Sequence, residues 1–414
     1  MKRVDAEPRS IRDALRLRGV ALPVLAGRAP DAAGLDELHR ASADAWRIML
    51  ARECCALPLA AGLRALRLDG TLSSGARAAL AAAELAETQR VLAARSSLAA
   101  LDAAAAALEV RLTVLKGGAL AAEPAKPPLD LGDVDVLVDD AAPQTLWRRL
   151  SALGWRPRAG APVETLWEAD ANHLVPIVPP NEGLAVEIHT SIDYGANRRD
   201  DRATLARPLA SRRALSRLVG LDGVIVLLQH SVAKHPHRRG HLRDLVLIAD
   251  ALSEAGRTID EIEAALSADP LRDELLAMVR QAHALLTHAL PDDDESTRRF
   301  AAWKYAMHGG ARGVGGTLLP GWPGVATLAL ERPVVRRHAM RRLAREAIAP
   351  PSRSSAFAGI AGVRPGDPHR RSMLGGARPL AARMLRGGYR FSLLLLSVVA
   401  APLVRRRIAD LTRR

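Results

Sequence analysis

Cysteine is almost absent: the 414 residues hold two, adjacent at Cys54 and Cys55. Two neighbours build neither a disulfide framework nor a cysteine-rich zinc site. They read as small buried residues on a helix, and a reducing, cytoplasmic compartment is expected. Aromatics make up 3% of the chain, and Lys accounts for only five of 59 basic residues. Without rings interleaved among the basic residues there is no platform for base stacking, so sequence-specific nucleic-acid binding is disfavoured. Long apolar runs are missing too. None follows Lys2 and Arg3, so no secretory signal is expected. The longest uncharged stretch, Phe391 to Val404, has fourteen residues, against the ~20 that a helix needs to cross a bilayer.

Positive charge, by contrast, is abundant but unevenly placed. The net charge is +14, yet residues 332–414 alone carry 19 Arg against Glu346, Asp367 and Asp410, or +16. The other 331 residues are therefore close to neutral, at −2. Arg386 and Arg390 precede Phe391–Val404, and Arg405, Arg406 and Arg407 follow it. That arrangement suits a helix lying on an anionic membrane surface, at the inner face of the membrane. A helix packed on the body with its arginines solvated is a second reading, and a true span is the third.

The chain divides by pattern into four regions. Residues 1–108 read as helices, with Leu80, Leu85, Leu92, Leu98, Leu101 and Leu108 spaced roughly along one face of an Ala-rich stretch. Residues 109–215 change character. Leu112–Leu115 is a β-branched run that ends in Lys116-Gly117-Gly118 and an apolar helix start, and Asp133–Val138 makes a second strand. A helix over 142–153 and a third strand over 184–189 follow. Helical periodicity returns across 216–345, at 224–230, 242–252, 259–266 and 271–290. Residues 346–414 form the basic tail with its short apolar helix. Gly309–Gly316 reads as a linker, because its glycines match neither a dinucleotide fingerprint nor a P-loop.

Chemistry concentrates in the second region. Residues two apart on a strand share a face, so Asp133 and Asp135 project together while Val134, Val136 and Val138 face a core. Adjacent carboxylates repel unless a cation sits between them, and Mg²⁺ is commonly held by one or two carboxylates plus substrate phosphates. Glu187, turned away from Val186 and Ile188 on a neighbouring strand, offers a third carboxylate. Two ions on such a triad clamp the attacking and leaving oxygens of an in-line phosphoryl displacement. Gly117 and Gly118 expose backbone N–H groups at a helix start, with Lys116 beside them, as a triphosphate cradle. His189 shares a face with Glu187 and either orients it, touches substrate or makes a structural hydrogen bond. His230, His235, His237 and His241 crowd one region near Lys234, but their spacing is no reliable zinc pattern.

The ordered set Leu115-Lys116-Gly117-Gly118, Asp133-Val134-Asp135-Val136 and Val186-Glu187-Ile188-His189 resembles the polymerase-beta-type nucleotidyltransferase superfamily. More closely, it is similar to the bacterial family catalogued as uncharacterised nucleotidyltransferases. Gln229-His230-Ser231-Val232-Ala233-Lys234-His235 and Leu242-Arg243-Asp244-Leu245 match that family's downstream elements, and the likeness runs over about 20–350. The resemblance implies an α+β fold: a small mixed β-sheet nucleotidyltransferase core flanked by N- and C-terminal helical regions. It implies transfer of a nucleoside monophosphate from an NTP to an unidentified acceptor, a small molecule or a protein. Asp133, Asp135 and Glu187 would hold two Mg²⁺, Lys116, Gly117 and Gly118 would cradle the β- and γ-phosphates, and His230, Lys234 and Asp244 would pack against the nucleotide cleft. Where family members usually carry Arg four residues before the first Asp, this chain has Leu129. That departure keeps a second class open, a catalytically degenerate nucleotide-binding accessory or regulatory protein. The basic tail keeps a third open, a membrane-surface adaptor.

Overall fold

The computed structural model describes residues 8–306, except 124–127, 139–142, 159–173, 181–182, 190–205, 210–211, 235–237, 270 and 292–294, together with most of 402–412. His235, His237, the Gly309–Gly316 linker and nearly all of Phe391–Val404 lie outside the described residues, as does the side chain of Lys234.

Helices open the chain: α1 (Pro8–Leu25), α2 (Ala32–Arg40), α3 (Ala43–Glu53), α4 (Ala56–Ala65) and α5 (Ser74–Ala107). Their starts follow the capping residues. The side chains of Asp31, Ser42 and Ser73 accept from the backbone N–H groups of Gly34, Ala45 and Ala76. The cysteines sit between helices rather than on one. Cys54 ends α3 in the left-handed region, with φ 48°, and Cys55 precedes α4. At 34 residues, α5 is roughly 50 Å long and reaches two separate cores. Its Ala76 and Leu80 pack among the helices, while Leu98 and Leu101 pack under the sheet. Leu85 and Leu92 leave the expected stripe, at 62% and 57% exposure. With 100° per residue they point more than a quarter-turn away from Leu80 and Leu98.

Among the described residues one mixed sheet of seven strands follows, an α+β architecture with helical flanks. The strands are β1 (Leu112–Val114), β2 (Val134–Val138), β3 (Arg156–Pro157), β4 (Ile177–Val178), β5 (Val186–His189), β6 (Ala206–Pro208) and β7 (Leu215–Leu218), in the order β3-β4-β5-β2-β1-β7-β6. β2 is antiparallel to β1 and parallel to β5, and the register sets Asp135 opposite Glu187. Val134, Val136 and Val138 enter the core with Leu98, Leu101 and Leu146, the last from α7 (Pro143–Ala152). The β7 strand, Leu-Ser-Arg-Leu, carries almost no β signature. Asp102 of α5 helps to set it, accepting from the N–H of Ala214 at 2.8 Å and of Arg213 at 3.1 Å.

Between β1 and β2, Lys116–Ala122 forms the short helix α6. Beyond the sheet come α8 (Gly220–Gln229), a π-helical turn over His230–Lys234, α9 (Leu242–Ala255), α10 (Ile259–Ala265), α11 (Arg272–Leu286) and α12 (Glu295–Ala306). These helices share one apolar cluster with α1, α3 and α4: Trp46, Leu59, Leu228, Leu245, Leu275 and Phe300 belong to it. The C-terminal turns join as well, through Val404, Ile408 and Leu411.

A buried charge cluster ties the N-terminal helices to this later group. Glu53 accepts from Lys304 Nζ, Tyr305 Oη and the N–H of Leu242, each at 2.8 Å, with Arg18 Nε at 3.5 Å. Arg18 also donates to the carbonyl of Gly240 at 2.6 Å. The segment that carries Arg238 into α9 is thereby held at two backbone points.

Candidate active site

At the Lys116-Gly117 turn the chain leaves the sheet through a constrained backbone. Lys116 has φ 52°, a left-handed conformation costing a non-glycine residue roughly 1 kcal/mol or more. The side chain thereby reaches β2, where Nζ lies 2.7 Å from Asp135 Oδ1. A Cβ on Gly117 would stand 2.4 Å from Leu131 Cδ2, so glycine permits the close approach of the 129–132 segment. Gly118 faces the strands instead, where a Cβ would meet Val114 at 3.0 Å.

A cleft of about 310 Å³ opens between this turn, the ends of β2 and β5, and the helices after β7. Lys116, Gly117, Asp133, Asp135 and Glu187 line one wall, and Leu129 to Gly132 continue it. His230, Ser231, Arg238, Arg243 and Asp244 face them, with Leu227, Leu247, Ile248 and Cys54. The cleft therefore gathers Lys116, Gly117, Asp133, Asp135, Glu187, His230 and Asp244. Gly118 and His189 pack behind it.

His189 is fully buried beneath Asp135. Its Nε2 is 2.8 Å from Asp135 Oδ1 and 3.9 Å from Glu187 Oε2. Asp135, Glu187 and His189 bring ligand-capable atoms within 4.8 Å of one another, a group able to hold a metal ion. Of the three, Asp135 and Glu187 line the cleft and His189 does not; Asp133 lines the same wall but lies outside this group.

The carboxylates are unequal. Burial pushes Asp133 up, and the Asp135 charge adds to it. Burial acts on Asp135 as well, but Lys116 and His189 outweigh it and hold that carboxyl well below the usual range. Such a split is what two acids sharing one site produce. Among the described residues, five carboxylates stand around the cleft, Asp130 and Asp244 with the three above, against the cations Lys116, Arg238 and Arg243. That surplus of negative charge suits a divalent cation with oxygen ligands and does not suit a bare polyphosphate.

The opposite wall is set by ion pairs. Arg243 grips Asp244 Oδ1 through Nε at 2.9 Å and Nη2 at 2.7 Å, while Ser231 Oγ donates to Oδ2 at 3.0 Å. Burial opposes ionisation of Asp244, and the Arg243 charge overcomes it. His241, 3.8 Å from Asp244 Oδ1, is pushed down to about 3 by burial and next by Lys304, so it is neutral at pH 7. Asp130 pairs with Arg90 and has its carbonyl 3.5 Å from Arg243 Nη1.

Sequence reasoning missed Arg238, Arg243, Ser231 and Cys54. Arg243 adjoins Asp244 in a motif already singled out, which is a usable signal. Nothing marks Arg238 among so many arginines.

Comparison with known proteins adds one match. The model of a family described as uncharacterised nucleotidyltransferase matches residues 46–287, more than half of the chain. No curated protein matches, and no solved structure does.

Proposed function

The chain belongs to the uncharacterised nucleotidyltransferase family, and from that premise we propose that it transfers a nucleoside monophosphate from an NTP to an acceptor hydroxyl or amine. The observation that carries this reading is the in-register pair Asp135 and Glu187, joined by Asp133 on the wall of a cleft with surplus negative charge. Those three carboxylates would hold two Mg²⁺, which when bound supply the neutralisation that a triphosphate needs and stabilise charge on the reacting oxygens. His189 keeps Asp135 oriented from below. Lys116, released from Asp135, and the backbone at Gly117 and Gly118 receive the β- and γ-phosphates. His230, Lys234 and Asp244 belong to the nucleotide side of the cleft.

In the transfer, the acceptor oxygen or nitrogen bonds to the α-phosphorus, the bond from that phosphorus to the β-bridging oxygen breaks, and pyrophosphate leaves. Glu187 either ligates one ion or takes up the acceptor's proton. The protein's contribution is positioning and electrostatic stabilisation. Label transfer from an α-labelled NTP, with pyrophosphate release, to a panel of hydroxyl and amine acceptors tests the reading. Asp135→Asn should lose both signals while keeping the wild-type circular dichroism; a variant as active as wild type would refute the assignment.

Leu129 favours a second reading, nucleotide binding without transfer, because it puts an apolar side chain on the cleft wall. Metal-dependent NTP binding without pyrophosphate release for any acceptor would select it. The basic stretch after Arg332 supports contact with an anionic membrane surface. Co-sedimentation of the full chain with anionic but not neutral vesicles tests that contact.

A further inference from the structure

We infer that Arg238, with Lys116 and the Gly117-Gly118 turn opposite it, grips the terminal phosphates of the nucleotide in this cleft, an inference that rests on the proposed NTP reading. Three cations reach the cleft among the described residues, and two of them are paired with cleft carboxylates in this structure. Lys116 Nζ sits 2.7 Å from Asp135 Oδ1. Arg243 is locked on Asp244 by two contacts, and Ser231 holds the other oxygen of that carboxylate. Arg238 pairs with no carboxylate among the described residues; its polar contact there is Nη1 to His230 Nε2, at 3.4 Å.

That contact leaves the guanidinium charge intact. His230 is buried, and its Nε2, accepting from one N–H, orients the fork and carries no negative charge to neutralise it. The remaining donors are free to match phosphate oxygens in a planar, two-point arrangement. Arg238 lines the wall opposite Asp133, and its charge acts on both Asp133 and Asp244. Its backbone is held nearby, because Arg18 clamps the Gly240 carbonyl and Glu53 clamps the Leu242 N–H. A fixed cation facing a carboxylate wall is preorganised for the anionic end of a metal-bound polyphosphate. The same chemistry would also take a phosphate or carboxylate on the acceptor, so the test must separate the two sources.

Calorimetric titration of full-length wild type, Arg238→Ala and Arg238→Gln does so, with Mg·ATP, Mg·tripolyphosphate, AMP and adenosine as probes. Both variants should weaken Mg·ATP and Mg·tripolyphosphate by roughly ten- to a hundredfold, as loss of a charged hydrogen-bond donor does. Adenosine binding should be unchanged and AMP little affected, and Mn²⁺ binding, read by electron paramagnetic resonance without nucleotide, should match wild type. Mg·ATP affinity equal to wild type in both variants overturns the inference while leaving the NTP reading intact, and assigns any role of Arg238 to the acceptor. Equal losses for adenosine and Mg·ATP overturn it too, by making the effect structural. Failure of wild type itself to bind any nucleotide removes the proposed function and this inference together.

Discussion

Asp135 receives Lys116 and His189 on the same oxygen. Asp135→Asn keeps the side chain's shape, so the expected change in melting temperature is a few degrees while Mg²⁺-dependent NTP binding disappears. Differential scanning fluorimetry with and without Mg·NTP checks both halves. Cys54 offers an independent test of the cleft's geometry. Burial is the main reason its thiol is pushed up to about 12, so at pH 8 native protein should react with iodoacetamide far more slowly than a free thiol. Denatured chain should take up two equivalents, and rapid native labelling would show the 54–55 junction to be open. Strand alternation puts Asp133 and Asp135 on one face and turns Glu187 away from Val186 and Ile188, so all three were legible as candidates, whereas their meeting depends on the β2–β5 register. Arg238 and Arg243 were not, because no periodicity distinguishes a working arginine from a solvated one.

The long helices were legible as elements because each shows its apolar period and several show a capping residue. Thr258 and Glu261, for instance, form a complete capping box at the start of α10. Short strands fared worse. β3 and β4 have two residues each, and β7 contains Arg217, whose charge is answered by Glu123 and Glu254 from outside the strand. Burial of that kind depends on partners far away in sequence. Leu85 and Leu92 failed in the opposite direction, since a loose leucine spacing does not fix which turn of α5 faces a core. The loop that delivers Arg238 supplies the prediction at this scale. Gly240 has φ 61°, and a Cβ there would lie 2.2 Å from Thr297 Cγ2. Gly240→Ala should therefore cost about 1–2 kcal/mol in chemical denaturation from backbone strain. It should weaken NTP binding as well, because Arg238 moves with the loop. Unchanged stability would mean that the segment is not held as described.

Across the whole molecule, Glu53 joins α1, α3, α9 and α12 at one buried point. Burial alone would raise its pKa, but Lys304 and Arg18 hold it down, from 4.5 to about 2. A depressed acid contributes stability that is fully present above 4.5 and is lost as pH falls through 4.5 towards 2. Wild type should lose stability along that limb, and Glu53→Gln should show a flatter one on a lower plateau. Removing one partner of a buried pair costs roughly 3–5 kcal/mol. Urea denaturation at pH 3, 4, 5 and 7 reads both effects; parallel curves for the two proteins would contradict the assignment. The shared core of early and late helices was not legible in sequence, because amphipathic faces reveal that they will be buried but not against what.

The central claim is that a metal-bound nucleotide occupies the cleft faced by Asp133, Asp135 and Glu187. It is tested most directly by titrating ATP, GTP, CTP and UTP, with and without Mg²⁺, into wild type and into the Asp133→Asn/Asp135→Asn variant while following thermal stability. Wild type should be stabilised by at least one NTP only when Mg²⁺ is present, by about 2.7 kcal/mol at a hundredfold excess over Kd, and the variant should show no shift. A wild type that no NTP stabilises, or a variant that responds equally, would contradict the account.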